Sequence, residues 1–218
     1  MYHFLKRLSD LVFSCVAIVV FLPVWAVICI VIKIKSPGPV IYKAKRVGLN
    51  GEIFSLYKFR TMHVNSGKVH ATTLRSDPRV YPFGKILRMS KLDETPQFFN
   101  ILRGEMSIIG PRPEDEINAK DIYCGEYSRI LSVKPGLSSP ASLYDFTHGE
   151  KYDSEESYKE HFLPQKLFLE LFYVDNRNYI YDVKIVCRTV VTVVLMLLGK
   201  QDFKEPAELK NMKEGAMQ

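Results

Sequence analysis

The longest pattern in the sequence is an uncharged apolar segment over residues 11–32. A helix of these 22 residues would extend roughly 33 Å, about the thickness of the hydrocarbon core of a bilayer. Pro23 lies near its middle, where the proline ring bends a helix, and basic residues flank both ends, as on the cytoplasmic side of membrane proteins. The segment is therefore predicted either to bend at Pro23 and re-enter the cytoplasmic leaflet or to form an ordinary kinked transmembrane helix.

A β-hairpin is predicted after this segment and a Pro/Gly break at residues 36–39. Residues 40–46 and 53–60 have the composition of strands, and Asn50-Gly51 between them is a strong signal for a tight turn. Alternation along the second strand places Lys58 and Arg60 at the end of an apolar face. Two cations on one face predict contact with phosphate, and a lipid-facing or solvated edge is the alternative.

Most of the remaining chain is predicted to be helical. A short helix over Pro82–Met89 would turn Phe83, Ile86 and Leu87 inward. Polar composition predicts loops over residues 63–80 and 138–149. A helix that contains Asp93 and Glu94 is predicted to run to about Arg103. Further helices are predicted over residues 114–131, over residues 154–174 with an interruption near Pro164, and over residues 183–198.

These elements predict an α+β fold in three parts. Residues 1–35 form the N-terminal re-entrant membrane helix. Residues 36–199 form a mostly helical globular domain with a small β-hairpin, packed on the membrane surface. Residues 200–218 form a polar tail that is predicted to be disordered.

Charge favours an anionic partner at a membrane. The formal net charge is +6, and residues 33–60 hold seven Lys and Arg residues against Glu52 alone, an excess equal to that of the whole chain. Basic residues beside a membrane segment attract anionic lipids by about 1 kcal/mol each, and the adjacent apolar segment makes lipid or anionic substrate a better partner than nucleic acid. The four cysteines and five histidines lack metal-ligand spacing, so neither a disulfide framework nor a zinc site is predicted.

The adjacent carboxylates of Asp93 and Glu94 are the strongest chemical signal, because Arg88 precedes them and further cations surround them in sequence. Mg²⁺ prefers carboxylate and phosphate oxygens, and an Asp can attack phosphorus to form an acyl phosphate. The pair therefore predicts metal-dependent chemistry on a phosphate ester. The alternative is structural, since Ser90-Lys91-Leu92-Asp93 fits a capping box in which Ser90 caps a helix.

Arg112 lies between two prolines, Pro111 and Pro113, which restrict the backbone on both sides of it. A guanidinium held in this way suits bidentate contact with a phosphate. A proline turn with a solvated Arg is the alternative.

Four segments together resemble the bacterial sugar transferases of the monotopic phosphoglycosyl transferase family, in the small form that holds only the catalytic core. The resemblance covers the chain from Phe4 to about Leu198. The segments, in chain order, are Lys58-Phe59-Arg60-Thr61-Met62, Leu92-Asp93-Glu94-Thr95-Pro96-Gln97, Met106-Ser107-Ile108-Ile109-Gly110-Pro111-Arg112-Pro113 and Lys134-Pro135-Gly136.

The resemblance implies transfer of a phospho-sugar from a nucleotide diphosphate sugar, UDP-linked by family frequency, to polyprenyl phosphate of the undecaprenyl type. This is the first membrane step of glycoconjugate assembly, on the cytoplasmic face of the bacterial inner membrane. It implies that Asp93 is the nucleophile, that Glu94 completes a Mg²⁺-dependent pair, and that the membrane helix enters and leaves by one leaflet. Glu170 stands where many relatives carry Asp. The positions that match family residues near bound phosphate are Lys58, Arg88 and Arg112.

Two departures from the family pattern limit what the resemblance implies. Leu22 precedes Pro23 where relatives often have Ser, and the loop Leu137–Ser142 differs from the family sequence. The sugar, the base, the pathway and the oligomeric state are therefore not predicted. Two other functions fit the carboxylate pair: hydrolysis of polyprenyl diphosphates, and a membrane-docked scaffold without activity.

Overall fold

The computed structural model describes residues 1–64, 78–149 and 155–215, and helices dominate it. The helices, in chain order, are α1 Tyr2–Lys35, α2 Pro82–Met89, α3 Phe98–Arg103, α4 Ala119–Ile122, α5 Pro140–His148, α6 Glu155–Ser157, α7 Leu163–Asn176, α8 Tyr179–Leu197 and α9 Glu208–Gly215. The 3₁₀ helices Leu49–Gly51, Leu92–Gln97 and Gly125–Ser132 and a π-helical turn, Tyr158–Phe162, lie between them. The predicted mixture of many helices and a small hairpin is confirmed.

The long helix α1 packs against the rest of the chain along one stripe and exposes apolar side chains elsewhere. It continues through Pro23, which is exposed. Within the described residues it is the one helix long and apolar enough to cross a membrane, and this surface indicates a membrane-associated helix. Its buried residues recur every three to four positions or at multiples of that spacing, and they are Asp10, Ser14, Ala17, Trp25, Ile28 and Ile32.

Polar contacts join the N-terminal end of α1 to distant parts of the chain. The Lys6 ammonium lies 2.8 Å from a carboxylate oxygen of Asp182 and also donates to the Ile109 carbonyl at 2.8 Å. Asp10 accepts hydrogen bonds from the Ser107 hydroxyl at 3.1 Å and from the Ile108 amide at 3.0 Å. The N-terminal end of α1 is therefore attached to the domain that follows its C-terminal end.

The predicted hairpin is confirmed as β1 Ile41–Val47 paired antiparallel with β2 Ile53–Phe59. Asn50 and Gly51 both have positive φ, 55° and 83°, which Asn and Gly tolerate best. Asn100 of α3 then ties the hairpin to the following segment, because its amide donates to the Ser55 carbonyl at 2.7 Å and its oxygen accepts the Tyr57 amide at 3.1 Å.

A second, parallel pair of short strands brings two distant loops together. Strand β3 Ser107–Ile109 pairs with β4 Gly136–Ser138. The backbones approach so closely that a Cβ on Gly136 would lie 2.1 Å from the Gly110 nitrogen. Glycine is therefore required where the segment after residue 133 meets the Pro-Arg-Pro segment.

The loop predicted over residues 138–149 is wrong, because α5 occupies it. Ser139 caps this helix by accepting the Ser142 amide at 2.9 Å, and Pro140 begins it, as a capping residue followed by proline at the first helical position allows. The single helix predicted over residues 114–131 is also wrong. Gly125, with φ 55°, separates α4 from the 3₁₀ helix.

Two smaller predictions differ from the structure as well. Ile86, predicted to face inward, is 58% exposed, whereas Leu87 is buried. Part of the tail predicted to be disordered forms α9, where Leu209 is buried and Glu208 pairs with Arg188. Part of the loop predicted over 63–80, and residues 216–218 of the tail, lie outside the described residues.

Candidate active site

A tight turn presents the two acidic side chains at the start of a 3₁₀ helix. The capping-box interpretation is wrong, because the Ser90 hydroxyl ends α2 by donating to the Ile86 and Leu87 carbonyls at 2.8 and 3.1 Å. Lys91 follows with a left-handed backbone (φ 57°). Asp93 and Glu94 are both buried, at 7% and 6% exposure, so their placement needs specific partners.

Glu94 has two cationic partners, as a buried carboxylate requires. Its Oε1 lies 2.8 Å from the Lys58 ammonium and 2.9 Å from the Arg112 guanidinium. Burial alone would raise the pKa of Glu94, but Arg112 and Lys58 outweigh it and hold the pKa well below its ordinary value. Burial lowers the pKa of Lys58 even beside this carboxylate, whereas Glu94 raises that of Arg112. Arg112 therefore keeps its positive charge beside Glu94 more strongly than Lys58 does. The low pKa of Glu94 means that its carboxylate is ionised.

Asp93 differs sharply from its neighbour. Its Oδ1 is buried and has no hydrogen-bond partner among the described residues. Burial and the adjacent Glu94 carboxylate raise the pKa of Asp93 to about 6, against the opposing effect of Lys58. The pair thus consists of one carboxylate held by cations and one with an oxygen available to a ligand.

The Pro-Arg-Pro segment is held by contacts to its backbone. The Arg112 amide donates to Glu170 Oε1 at 2.9 Å, and the Tyr123 hydroxyl donates to the Arg112 carbonyl at 3.2 Å. The Gly136 amide donates to the Pro111 carbonyl at 2.8 Å. The Arg112 side chain is still 28% exposed, so it can contact both Glu94 and an incoming ligand.

Glu170 is buried behind this segment. Its Oε1 also accepts the Ser139 hydroxyl at 3.3 Å, and its Oε2 has no partner in the part of the chain that the structure describes. Burial raises the pKa of Glu170 to about 8, although the Arg112 amide opposes the rise. Glu170 is therefore protonated at neutral pH and acts on the site through the Arg112 backbone.

The other candidates occupy different places. Arg88 donates to the Thr61 hydroxyl at 2.9 Å and lies close enough to Asp93 to lower its pKa. Arg60 is buried and donates to the Ser36 and Pro37 carbonyls, so that it attaches the end of the hairpin to the segment that follows α1. Lys58, Arg88 and Arg112 thus converge on the carboxylates, and Arg60 does not.

Three residues behind the site had no local signal in the sequence. Tyr123, buried Lys166 and its partner Glu114, whose carboxylate lies 2.8 Å from the Lys166 ammonium, line the region behind Arg112. Each depends on contacts between residues more than ten positions apart. Such contacts follow from tertiary structure, not from local spacing.

The donor set at the carboxylates fits a Mg²⁺ ion that also takes oxygens from substrate. No cluster of three or more His, Cys, Asp or Glu ligands occurs within residues 1–64, 78–149 and 155–215. Mg²⁺ is commonly bound by one or two carboxylates, substrate phosphates and water. The partnerless Oδ1 of Asp93 supplies such an oxygen, and Glu94 is the carboxylate beside it.

Comparison with known proteins places these residues in a family. The model of the family described as "Bacterial sugar transferase" matches residues 1–196. A UDP-N-acetylgalactosamine-undecaprenyl-phosphate N-acetylgalactosaminephosphotransferase of Aeromonas hydrophila is 36% identical over 196 residues, which are 88% of this chain and 44% of that protein.

Two further relatives are similar over most of this chain. A UDP-glucose:undecaprenyl-phosphate glucose-1-phosphate transferase of Caulobacter vibrioides is 34% identical over 87% of this chain and 69% of its own length. The exopolysaccharide production protein PSS of Rhizobium leguminosarum bv. phaseoli is 32% identical over 86% of this chain and 94% of its own. The chain thus spans from under half to nearly all of the relatives it matches.

Proposed function

The chain belongs to the bacterial sugar transferase family, and from this membership we propose that it transfers a sugar 1-phosphate from a UDP-sugar to undecaprenyl phosphate. The names of the relatives from Aeromonas hydrophila and Caulobacter vibrioides support this substrate pair. They differ in the sugar, so the sugar stays open. The reaction is the first membrane step of glycoconjugate assembly, in line with the exopolysaccharide role named for the Rhizobium relative.

The observation that carries the mechanism is the inequality of the two carboxylates. Glu94 is held by Lys58 and Arg112, whereas the Oδ1 of Asp93 has no partner among the described residues. In the first step an Asp93 oxygen attacks the phosphorus that carries the sugar. The Asp–phosphorus bond forms, the bond to the bridging oxygen breaks, and UMP leaves with that electron pair.

In the second step an oxygen of undecaprenyl phosphate attacks the same phosphorus. The bond to Asp93 breaks, and the carboxylate is regenerated as undecaprenyl-diphospho-sugar leaves. Arg112 and Lys58 orient Glu94 and offset negative charge that gathers at phosphorus, with Arg88 nearby. Mg²⁺, held by Asp93 with Glu94 beside it, would supply further positive charge to the phosphate oxygens.

We also propose that α1 re-enters the cytoplasmic leaflet and places the site at the cytoplasmic face of the inner membrane. The N-terminal end of α1 contacts Asp182 of α8 through the Tyr2 hydroxyl at 3.0 Å and the Lys6 ammonium at 2.8 Å. A straight span would carry that end across the bilayer, away from a domain on the cytoplasmic side. The exposed side chains of Lys33, Lys35, Lys43 and Lys45 would then face anionic lipid headgroups.

Topology is tested by cysteine labelling in a variant without the four native cysteines. His3 and Pro37 are exposed and lie at opposite ends of α1. His3→Cys and Pro37→Cys are each expected to react with an impermeant thiol reagent from the cytoplasmic side alone. Periplasmic labelling of His3→Cys would show that α1 crosses the membrane. It would contradict re-entry but not the proposed transferase activity.

Activity is tested with a panel of UDP-sugars and undecaprenyl phosphate. Repeated release of UMP should require both substrates, and Asp93→Asn should abolish it. Asp121→Asn is the matched control, because Asp121 is exposed and outside the site. If Asp93→Asn keeps wild-type turnover, or if undecaprenyl diphosphates are hydrolysed with no sugar donor, the proposed transfer is wrong.

A further inference from the structure

We propose that Lys91 is a substrate-binding residue that contacts a diphosphate oxygen of the nucleotide sugar, and that Phe146 positions its ammonium for this contact. The proposal rests on the proposed function, because it assigns a residue to the donor of that reaction. It is carried by the contact between Lys91 and Phe146, by the backbone of Lys91 and by the charge around the carboxylates.

The Lys91 ammonium lies over an aromatic ring of another element. Its Nζ is 4.2 Å from the centroid of the Phe146 ring in α5, well within the range of a cation–π contact. Both residues are half-buried. Among the described residues no carboxylate lies within ion-pair distance of this ammonium. The aromatic ring therefore holds the ammonium in place and leaves its charge unneutralised.

The backbone of Lys91 directs this side chain from the turn that builds the site. Lys91 has φ 57° and ψ 13°, a conformation that is uncommon for residues other than glycine. Its carbonyl accepts the Glu94 amide at 3.2 Å, and its amide donates to the Arg88 carbonyl at 3.2 Å. A long side chain at a backbone position that favours glycine is a feature that strained functional sites share.

Lys91 and α5 both lie near the groups of the site. Burial favours the protonated forms of Asp93 and Glu94, and Lys91 is one of the cations whose charge opposes this effect on their pKa values. Asp145, the neighbour of Phe146, is among the carboxylates that raise the pKa of Arg112, after Glu94. The contact between Lys91 and Phe146 therefore lies beside the carboxylate pair and its cationic partner.

The formal charges at the site leave room for a further cation. Lys58 and Arg112 both contact Glu94, and with Asp93 and the nearby Arg88 these five side chains sum to a formal charge of +1. A nucleotide diphosphate sugar brings two ionised phosphate groups into this region. Lys91 adds a positive charge that does not have to leave a carboxylate in order to bind them.

The test compares Lys91→Met with Lys91→Arg and Phe146→Leu. Methionine keeps an unbranched side chain and the same backbone demand, so Lys91→Met chiefly removes the charge. The matched control is Lys85→Met, because Lys85 is an exposed cation of α2. Kinetics are measured separately for the UDP-sugar and for undecaprenyl phosphate, together with the binding of UDP to each variant by calorimetry.

We expect Lys91→Met to raise KM for the UDP-sugar and Kd for UDP by about tenfold or more, as expected for loss of a charged hydrogen bond. KM for undecaprenyl phosphate should stay within about twofold, Lys91→Arg should restore most of the loss, and Phe146→Leu should give a smaller rise. Lys85→Met should behave as wild type.

Unchanged donor KM and UDP binding in Lys91→Met would overturn the proposal, even if its melting temperature falls, because the contact would then be only structural. Equal rises in KM for both substrates would also overturn it. If the wild type shows no turnover with any sugar donor, the proposed function fails. UDP binding then still decides whether Lys91 contacts a diphosphate.

Discussion

Replacing Glu170 by Gln should stabilise the protein at alkaline pH, although it changes a buried residue beside the site. Burial raises the pKa of Glu170 from 4.5 to about 8, so the folded chain keeps this proton while the unfolded chain loses it. Between these two pH values the folded state binds more protons than the unfolded state, and stability falls as the pH rises. Glutamine imitates the protonated acid and has no proton to lose.

The two pKa values differ by about 3.5, which at about 1.4 kcal/mol for each pH unit corresponds to on the order of 5 kcal/mol. At pH 5 the wild type and Glu170→Gln should therefore melt within a few degrees of each other. Above pH 8 the variant should melt higher by on the order of 10 °C, since each kcal/mol moves the melting temperature of a domain of this size by roughly 2–4 °C.

The assay is thermal unfolding of the detergent-solubilised proteins at a series of pH values and one scan rate. Glu126→Gln is the matched control, because Glu126 is exposed, and its difference from wild type should not vary with pH. A difference between Glu170→Gln and wild type that is the same at pH 5 and pH 8 would refute the reasoning. So would a variant that is less stable than wild type at pH 8.

Three further predictions concern the site and its support. Arg112→Lys should lower kcat/KM for the UDP-sugar at least tenfold, because lysine lacks the planar fork of arginine; kinetics within twofold of wild type would remove Arg112 from the site. Gly136→Ala should prevent accumulation of folded protein, because its Cβ would lie 2.1 Å from the Gly110 nitrogen. Gly199→Ala should fold, because its Cβ meets no atom within 4 Å and the positive φ of 91° costs only about 1–2 kcal/mol. A stable Gly136→Ala protein would show that the strands can separate. Excess EDTA should stop UMP release and added Mg²⁺ should restore it, and full activity in EDTA would exclude the metal.

Local patterns in the sequence were sufficient for the elements that depend on neighbouring residues. The uncharged segment predicts α1, and Asn50-Gly51 predicts the hairpin, because each signal is contained in the element that it specifies. The missed helix α5 also had a local signal, a Ser139-Pro140 start, but the polar composition after it favoured a loop. For α5, the capping residue Ser139 and the following Pro140 were therefore better predictors of a helix than the polar composition was of a loop.

The candidate site was predictable in its residue types but not in its geometry. Spacing places Lys58 and Arg60 on one strand face, yet Lys58 contacts Glu94 and Arg60 closes the break after α1. The sequence also cannot distinguish two adjacent acids. Asp93 and Glu94 differ because Arg112 and Lys58, far away in sequence, both contact one of them.

The central claim, that Asp93 forms a covalent bond with the phospho-sugar, is tested most directly by mass spectrometry of the intact enzyme. The enzyme is mixed with the UDP-sugar that supports turnover, in the absence of undecaprenyl phosphate. We predict an added mass of one sugar phosphate, found by peptide mapping on Asp93, absent in Asp93→Asn, present in Asp121→Asn, and discharged when undecaprenyl phosphate is added. Turnover of wild-type enzyme with no such adduct at any time before the first cycle is complete, or an adduct on another residue, would contradict the account.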